Sequence, residues 1–142
     1  MKKVVLSLGS NMGRREWFLS TARELIATRV GELVLQTSVK ETKSWGYDSG
    51  DYLNQVVECS TSLEPIDLLQ VLKDIEIELG RDPETKTKTG TCDYHDRTID
   101  IDILYYEGVT MNTPELTIPH PQIQNRPFIL ELLEELRKQR IG

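Results

Sequence analysis

From Ile99 to Ile103 the chain alternates isoleucine with aspartate, within the run Arg97-Thr98-Ile99-Asp100-Ile101-Asp102-Ile103-Leu104. A period of two fits a strand and no helix. Ile99, Ile101 and Ile103 then share one face and Asp100 and Asp102 the other, so the segment belongs in a sheet with one dry side and one wet side. Two steps along a strand put the carboxylates roughly 6.6 Å apart at the backbone. Leaning together, they can bridge two divalent ions about 3.5–4 Å apart, the spacing of two-metal phosphoryl chemistry. Magnesium suits such a pair, since it takes one or two carboxylates and completes its shell with phosphate oxygens and water. Taken alone, the two acids are better explained as the wet face of an ordinary strand.

The rest of the chain supplies partners for that strand. Lys3 to Leu8 reads as a buried first strand, with Gly9 to Gly13 as its turn. From Arg15 to Val30, Phe18, Ala22, Leu25, Ile26 and Val30 recur at helical spacing, and Gly31 ends the helix as a C-terminal glycine. Leu33 to Thr42 predicts a second strand, Lys43 to Gly50 a loop, and Tyr52 to Thr61 a third strand. Pro65 opens a helix whose stripe of Leu68, Leu69, Leu72, Ile75 and Leu79 runs to Gly80. Arg81 to Arg97 is a long polar loop, Thr98 to Tyr106 the last strand, and Phe128 to Lys138 an amphipathic helix. The order β-α-β-β-α-β plus a terminal helix predicts an α+β, ferredoxin-like antiparallel sheet with packed helices.

A length of 142 residues fits one domain spanning 1–142. A net charge of -6 argues against a nucleic-acid partner, which would call for a basic face. It also means that any phosphate-handling site must draw its positive charge from metal ions and a few arginines. No apolar run approaches the length of a membrane span, and Gly9, Ser10 and Asn11 end the first apolar stretch too early for a signal peptide. Cys59 and Cys92 lack a C-x-x-C partner and read as free thiols of a cytoplasmic protein.

Other chemistry-bearing residues are ambiguous on their own. No G-x-x-x-x-G-K-[ST] loop is present, so a nucleotide site would not be of the P-loop kind. Arg81 and Arg97 stand at the ends of the long loop. Its lysines, Lys86 and Lys88, are balanced by acids. His120 sits between Pro119 and Pro121, which constrain its backbone. Tyr52 and Phe128, beside Asn54 and Arg126, read as core aromatics without further information.

Together the segments resemble one family, the 6-hydroxymethyl-7,8-dihydropterin pyrophosphokinases of folate biosynthesis. The resemblance is carried by Leu8-Gly9-Ser10-Asn11, Asp51-Tyr52-Leu53-Asn54, Leu68-Leu69 through Ile75-Glu76, Gly80-Arg81, Arg97 to Ile103, and Ile118-Pro119-His120 with Asn125-Arg126 and Phe128. These occur in the family's order over nearly the whole chain. The resemblance implies an ATP-dependent diphosphotransferase in which Asp100 and Asp102 hold two Mg²⁺ ions. Glu76, Arg81, Arg97, Ile103, His120 and Arg126 would line the ATP side, with Arg81 and Arg97 stabilising charge in the transfer. Tyr52 and Phe128 would sandwich the pterin, Asn54 would bond its amide-like edge, and the backbone of Thr42, Lys43, Ser44 and Trp45 would complete recognition.

Two departures from the family pattern stand out. Asp93-Tyr94-His95-Asp96 replaces the usual Arg-Trp-Gly-Pro ahead of Arg97, leaving Lys86 or Lys88 as substitutes, and Lys43-Ser44-Trp45 replaces a stiffer proline-containing loop. The resemblance implies a monomer acting on small molecules, without nucleic acid or membrane. Loops 43–50 and 82–96 are expected to be mobile in the free enzyme and ordered by substrates. The rival readings are a two-metal nucleotidyltransferase or cyclase on the same sheet, an RNA-recognition module, and a non-catalytic ligand-binding module. An RNA module would need aromatic R-G-F-type motifs and a basic sheet, which this chain lacks.

Overall fold

The computed structural model describes residues 1–11, 14–42, 51–80 and 98–141, with the side chains of 140 and 141 left aside. The elements are β1 (Lys2–Ser10), α1 (Arg15–Arg29), β2 (Leu33–Gln36), β3 (Lys40–Thr42), β4 (Tyr52–Thr61), α2 (Pro65–Glu78), β5 (Asp100–Tyr106), a two-residue hairpin of β6 (Met111–Asn112) and β7 (Thr117–Ile118), a 3-10 turn (Ile123–Asn125), and α3 (Pro127–Ile141). The main sheet runs β2-β4-β1-β5 with β3 also paired to β4, and each pairing is antiparallel. The α+β architecture expected from the element order is the one found.

Alternation along the strands sorts two cores onto the two faces of the sheet. Val4, Leu6 and Leu8 of β1, Val57 and Cys59 of β4, and Ile101 and Ile103 of β5 face α1 and α2, where Leu19, Ala22, Ile26, Leu68, Leu72 and Ile75 meet them. On the opposite face Val5, Val56 and Leu104 pack under α3 through Ile123, Ile129, Leu132 and Leu136. Each valine, leucine or isoleucine among these buried side chains contributes up to about 1.5–3 kcal/mol. Along β1, Val5 is covered by this second core, while Ser7 and Gly9, two and four residues on, line an open cavity. The end of that face where α3 begins is therefore where a ligand can enter.

Several details differ from the sequence reading. Gly9 and Ser10 continue β1 rather than starting a turn, paired with Asn54 and Leu53. Leu33 to Thr42 is two strands because Thr37 interrupts the ladder. The Thr37 hydroxyl accepts from Val56 N at 3.0 Å and its carbonyl accepts from Gln55 Nε2 at 2.7 Å. Gly31 follows α1, but its reason is proximity: a Cβ there would stand 1.7 Å from the Ser60 carbonyl oxygen. The β6–β7 hairpin and the 3-10 turn carried no periodic signal in the sequence.

Candidate active site

A cavity of about 430 Å³ opens on the α3 face, lined by Ser7, Leu8, Gly9, Thr42, Tyr52, Asn54, Asp100, Asp102, Gln122, Asn125, Arg126, Phe128 and Ile129. Its floor follows from register. Asn54, Gly9 and Asp100 are neighbours across β4, β1 and β5, and the next inward row is Val56, Ser7 and Asp102. The antiparallel pairing thus sets Tyr52 and Asn54 on one side of a glycine and the two aspartates on the other. Phe128 and Arg126 arrive from the start of α3.

Asn54 is buried and its amide is oriented by chemistry. It donates through Nδ2 to the Lys40 carbonyl at 3.2 Å and to Thr42 Oγ1 at 2.8 Å. A carbonyl can only accept, so the nitrogen must point that way. With its donors used internally, Asn54 offers the cavity an acceptor, Oδ1, which lies 3.5 Å from where a Cβ on Gly9 would be. The absence of a side chain at Gly9 keeps the floor open between Tyr52 and Asp100.

The acid pair is held from several sides. Arg126 Nη1 stands 3.5 Å from Asp102 Oδ2, and His120 Nε2 stands 3.9 Å from Asp102 Oδ1. His120 Nδ1 accepts the Gln122 N–H at 3.1 Å, so the proton of the neutral ring sits on Nε2, facing the aspartate. Burial holds the His120 pKa below its ordinary value, the nearby Arg126 charge lowers it further, and Asp100 opposes them. From the other face of the sheet, buried Glu76 accepts the Ile101 N–H through Oε2 at 2.7 Å.

The cavity therefore brings together seven of the residues singled out from sequence: Thr42, Tyr52, Asn54, Asp100, Asp102, Arg126 and Phe128. His120 borders them through Asp102. Glu76, on α2, and the Ile103 side chain instead lie on the opposite face of the sheet, the one that α1 and α2 cover. On edge strand β5 the Ile101 N–H points outward to Glu76, and the two-residue repeat turns the Ile103 backbone the same way. Any ligand contact of Ile103 is thus through its backbone. Arg81, Arg97, Lys43, Ser44, Trp45, Lys86, Lys88 and the Asp93–Asp96 stretch lie outside the described residues, as do both loops expected to respond to substrates.

Sequence reasoning gave no site role to Ser7, Leu8, Gly9, Gln122, Asn125 or Ile129, although Leu8, Gly9 and Asn125 stand in segments that carry the family resemblance. The available signal was the alternation of Val5, Ser7 and Gly9, which places two small residues opposite Asn54 and the aspartates. No such alternation marks Gln122 and Asn125, joined to each other by Asn125 Nδ2 to Gln122 Oε1 at 3.2 Å.

The donor set fits magnesium. Two carboxylates, Asp100 and Asp102, share one cavity wall, and His120 Nε2 stands 3.9 Å from the second of them. This suits an ion that takes its remaining ligands from phosphate and water.

A family model described as 7,8-dihydro-6-hydroxymethylpterin-pyrophosphokinase (HPPK) matches residues 5–138. The 2-amino-4-hydroxy-6-hydroxymethyldihydropteridine pyrophosphokinase of Porphyromonas gingivalis is 45% identical over 131 residues, covering 91% of this chain and 86% of that protein. Its namesake from Bacillus subtilis is 38% identical over 136 residues, covering 94% and 77%. A solved Plasmodium falciparum HPPK-DHPS structure with pteroate superposes with a TM-score of 0.75 at 17% identity, over 95% of this chain and 38% of that one, a likeness of fold. On the family model and these identities, the chain belongs to the HPPK family of pterin pyrophosphokinases.

Proposed function

We propose that the chain transfers diphosphate from ATP to 6-hydroxymethyl-7,8-dihydropterin, giving the pterin diphosphate and AMP, with Asp100 and Asp102 holding two Mg²⁺ ions. The observation that carries the site assignment is the single cavity shared by Tyr52, Asn54 and Phe128 with both aspartates. A flat heteroaromatic ring gains from aromatic faces, and Asn54 Oδ1 supplies an acceptor for the donors of the pterin's amide-like edge.

In the reaction the hydroxymethyl oxygen attacks the β-phosphorus in line. The bond from that phosphorus to the α,β-bridging oxygen breaks, AMP leaves with the electron pair, and the hydroxyl proton is released to water. Tyr52, Phe128 and Asn54 fix the ring so that its hydroxymethyl group faces the acid side of the cavity. Magnesium, when bound, supplies Lewis-acid charge neutralisation and a lowered alcohol pKa. Arg126, already beside Asp102, offers the nucleotide phosphates a guanidinium, and His120 an N–H from Nε2. Glu76 acts through Ile101, fixing the backbone between the two acids. Arg81 and Arg97 stabilise charge on the transferred and leaving groups. The active unit is a monomer in the cytoplasm; among the described residues no helix is long and apolar enough to cross a membrane.

The test is incubation with Mg²⁺, ATP and 6-hydroxymethyl-7,8-dihydropterin, with products identified by mass. AMP and the pterin diphosphate are expected. Release of pyrophosphate would indicate a nucleotidyltransferase, and ADP a simple kinase, and either would overturn the reading.

A further inference from the structure

Ser7 sits at the centre of the cavity floor, between Val56 on β4 and Asp102 on β5 and two residues from Gly9. It is 6% exposed and lines the cavity. Among the described residues the sealed side-chain oxygens without a partner are Ser10 Oγ and Thr98 Oγ1, so the Ser7 hydroxyl is not one of them and opens into the cavity. A hydroxyl open to a cavity bonds water in the free protein, and a ligand that displaces that water must replace the bond or lose roughly 1–3 kcal/mol.

We propose that the Ser7 hydroxyl is a further pterin contact, bonding a heteroatom on the ring edge that lies between Asn54 and the aspartates. Reach selects the pterin over the phosphates. A hydroxyl on a one-carbon stem touches only what lies flat on the sheet, and the bare backbone of Gly9 makes room there for a ring. The longer aspartate side chains carry their oxygens away from the sheet, so metal ions and phosphates stand farther off. The inference rests on the pterin reading of the cavity and adds a specificity-determining group to it.

The experiment compares wild-type protein with Ser7→Ala and Ser7→Cys by equilibrium titration. One series uses 6-hydroxymethyl-7,8-dihydropterin, a second a non-hydrolysable ATP analogue with Mg²⁺, and thermal unfolding is followed alongside. Ser7→Ala is expected to weaken pterin binding about fivefold, the worth of one neutral hydrogen bond, with Ser7→Cys between it and wild type. Nucleotide affinity and the unfolding temperature should be unchanged. Equal pterin affinity in wild type and Ser7→Ala would overturn the inference and leave the pterin reading standing. A loss confined to the nucleotide series, or a lowered unfolding temperature with binding intact, would also overturn it. Failure of the wild type itself to bind pterin would overturn both.

Discussion

Glu76 on α2 accepts the backbone N–H of Ile101 at 2.7 Å, so a buried carboxylate on one face of the sheet holds the residue that separates Asp100 from Asp102 on the other. Edge strand β5 is pinned by this bond on the side away from β1. Glu76→Ala leaves that N–H unsatisfied and opens a void, which should cost about 2–4 kcal/mol in a urea titration. Glu76→Gln keeps an acceptor but loses its charge, and should cost roughly half as much. Equal losses from the two variants would mean that the bond to Ile101 contributes little.

Asp100→Ala and Asp102→Ala should each lower turnover at least about a hundredfold while the unfolding midpoint moves little. Both side chains face the cavity, so neither leaves a void in a core. Asp102→Ala also removes the anion beside Arg126 and His120, and should disturb nucleotide affinity more than Asp100→Ala does. Chelation of the metal should abolish turnover in wild type, and Mg²⁺ should restore it. Near-normal rates from either variant at saturating Mg²⁺ would remove the aspartates from the site.

Tyr52→Ala and Phe128→Ala should each weaken pterin binding by about 1–3 kcal/mol and leave an ATP analogue largely unaffected. Gly9→Ala probes the same floor by addition. Its Cβ would meet Tyr52 and Asn54 at 3.5 Å, ordinary contact distances, so the fold should tolerate it. The methyl occupies space that the ring would fill, so pterin affinity should fall without a fall in unfolding temperature. Parallel losses for both ligands in the aromatic variants would mark those side chains as core.

The acid pair was the most legible part of the site, because a period of two alone puts Asp100 and Asp102 on one face. The cavity wall from α3 was legible only through family resemblance, since nothing local separates Phe128 from an ordinary core aromatic. Ser7 and Gly9 were missed because a short apolar run followed by glycine looks like a strand giving way to a turn, and only pairing with Leu53 and Asn54 shows that the strand continues. The break at Thr37 was illegible for another reason. Its neighbour Ser38 is bonded through N and Oγ to Glu135, 97 residues away, at 2.6 and 2.8 Å. No window of local sequence contains both partners.

Cys59 is fully buried, and burial, reinforced by the charge of Glu58, pushes its thiol up to about 12. At about pH 8 its thiolate is then on the order of one part in ten thousand, and the sulfur is also out of reach. Iodoacetamide should leave Cys59 unmodified in the folded protein and modify it fully in denaturant, with peptide mass mapping separating it from Cys92. Labelling should rise only as pH approaches the raised value or the fold is lost. Rapid modification of Cys59 at neutral pH would mean that β4 opens readily.

Arg15, the first residue of α1, ties down both arms of the β3–β4 hairpin beside the proposed pterin contacts. Its Nη1 donates to the Asp51 carbonyl at 2.7 Å and to Glu41 Oε2 at 2.9 Å. Asp51 precedes Tyr52 and Glu41 precedes Thr42, and those two successors are register partners in the sheet. Since β3 is three residues long, few ladder bonds fix Thr42, and an anchor to a helix packed on the core limits how far the hairpin can shift. The ion pair with half-exposed Glu41 is worth little in solvent, so the bond to the Asp51 carbonyl matters more. Arg15→Ala should therefore weaken pterin binding roughly two- to fivefold, the cost of losing about one hydrogen bond's positioning. Glu41→Ala should have a smaller effect. Arg15→Lys should restore part of the loss, because one ammonium can reach a carbonyl without reproducing the guanidinium fork. Steady-state kinetics check this: KM for the pterin should rise while kcat and KM for ATP hold. If kcat falls with the pterin KM unchanged, the arginine acts elsewhere in the reaction.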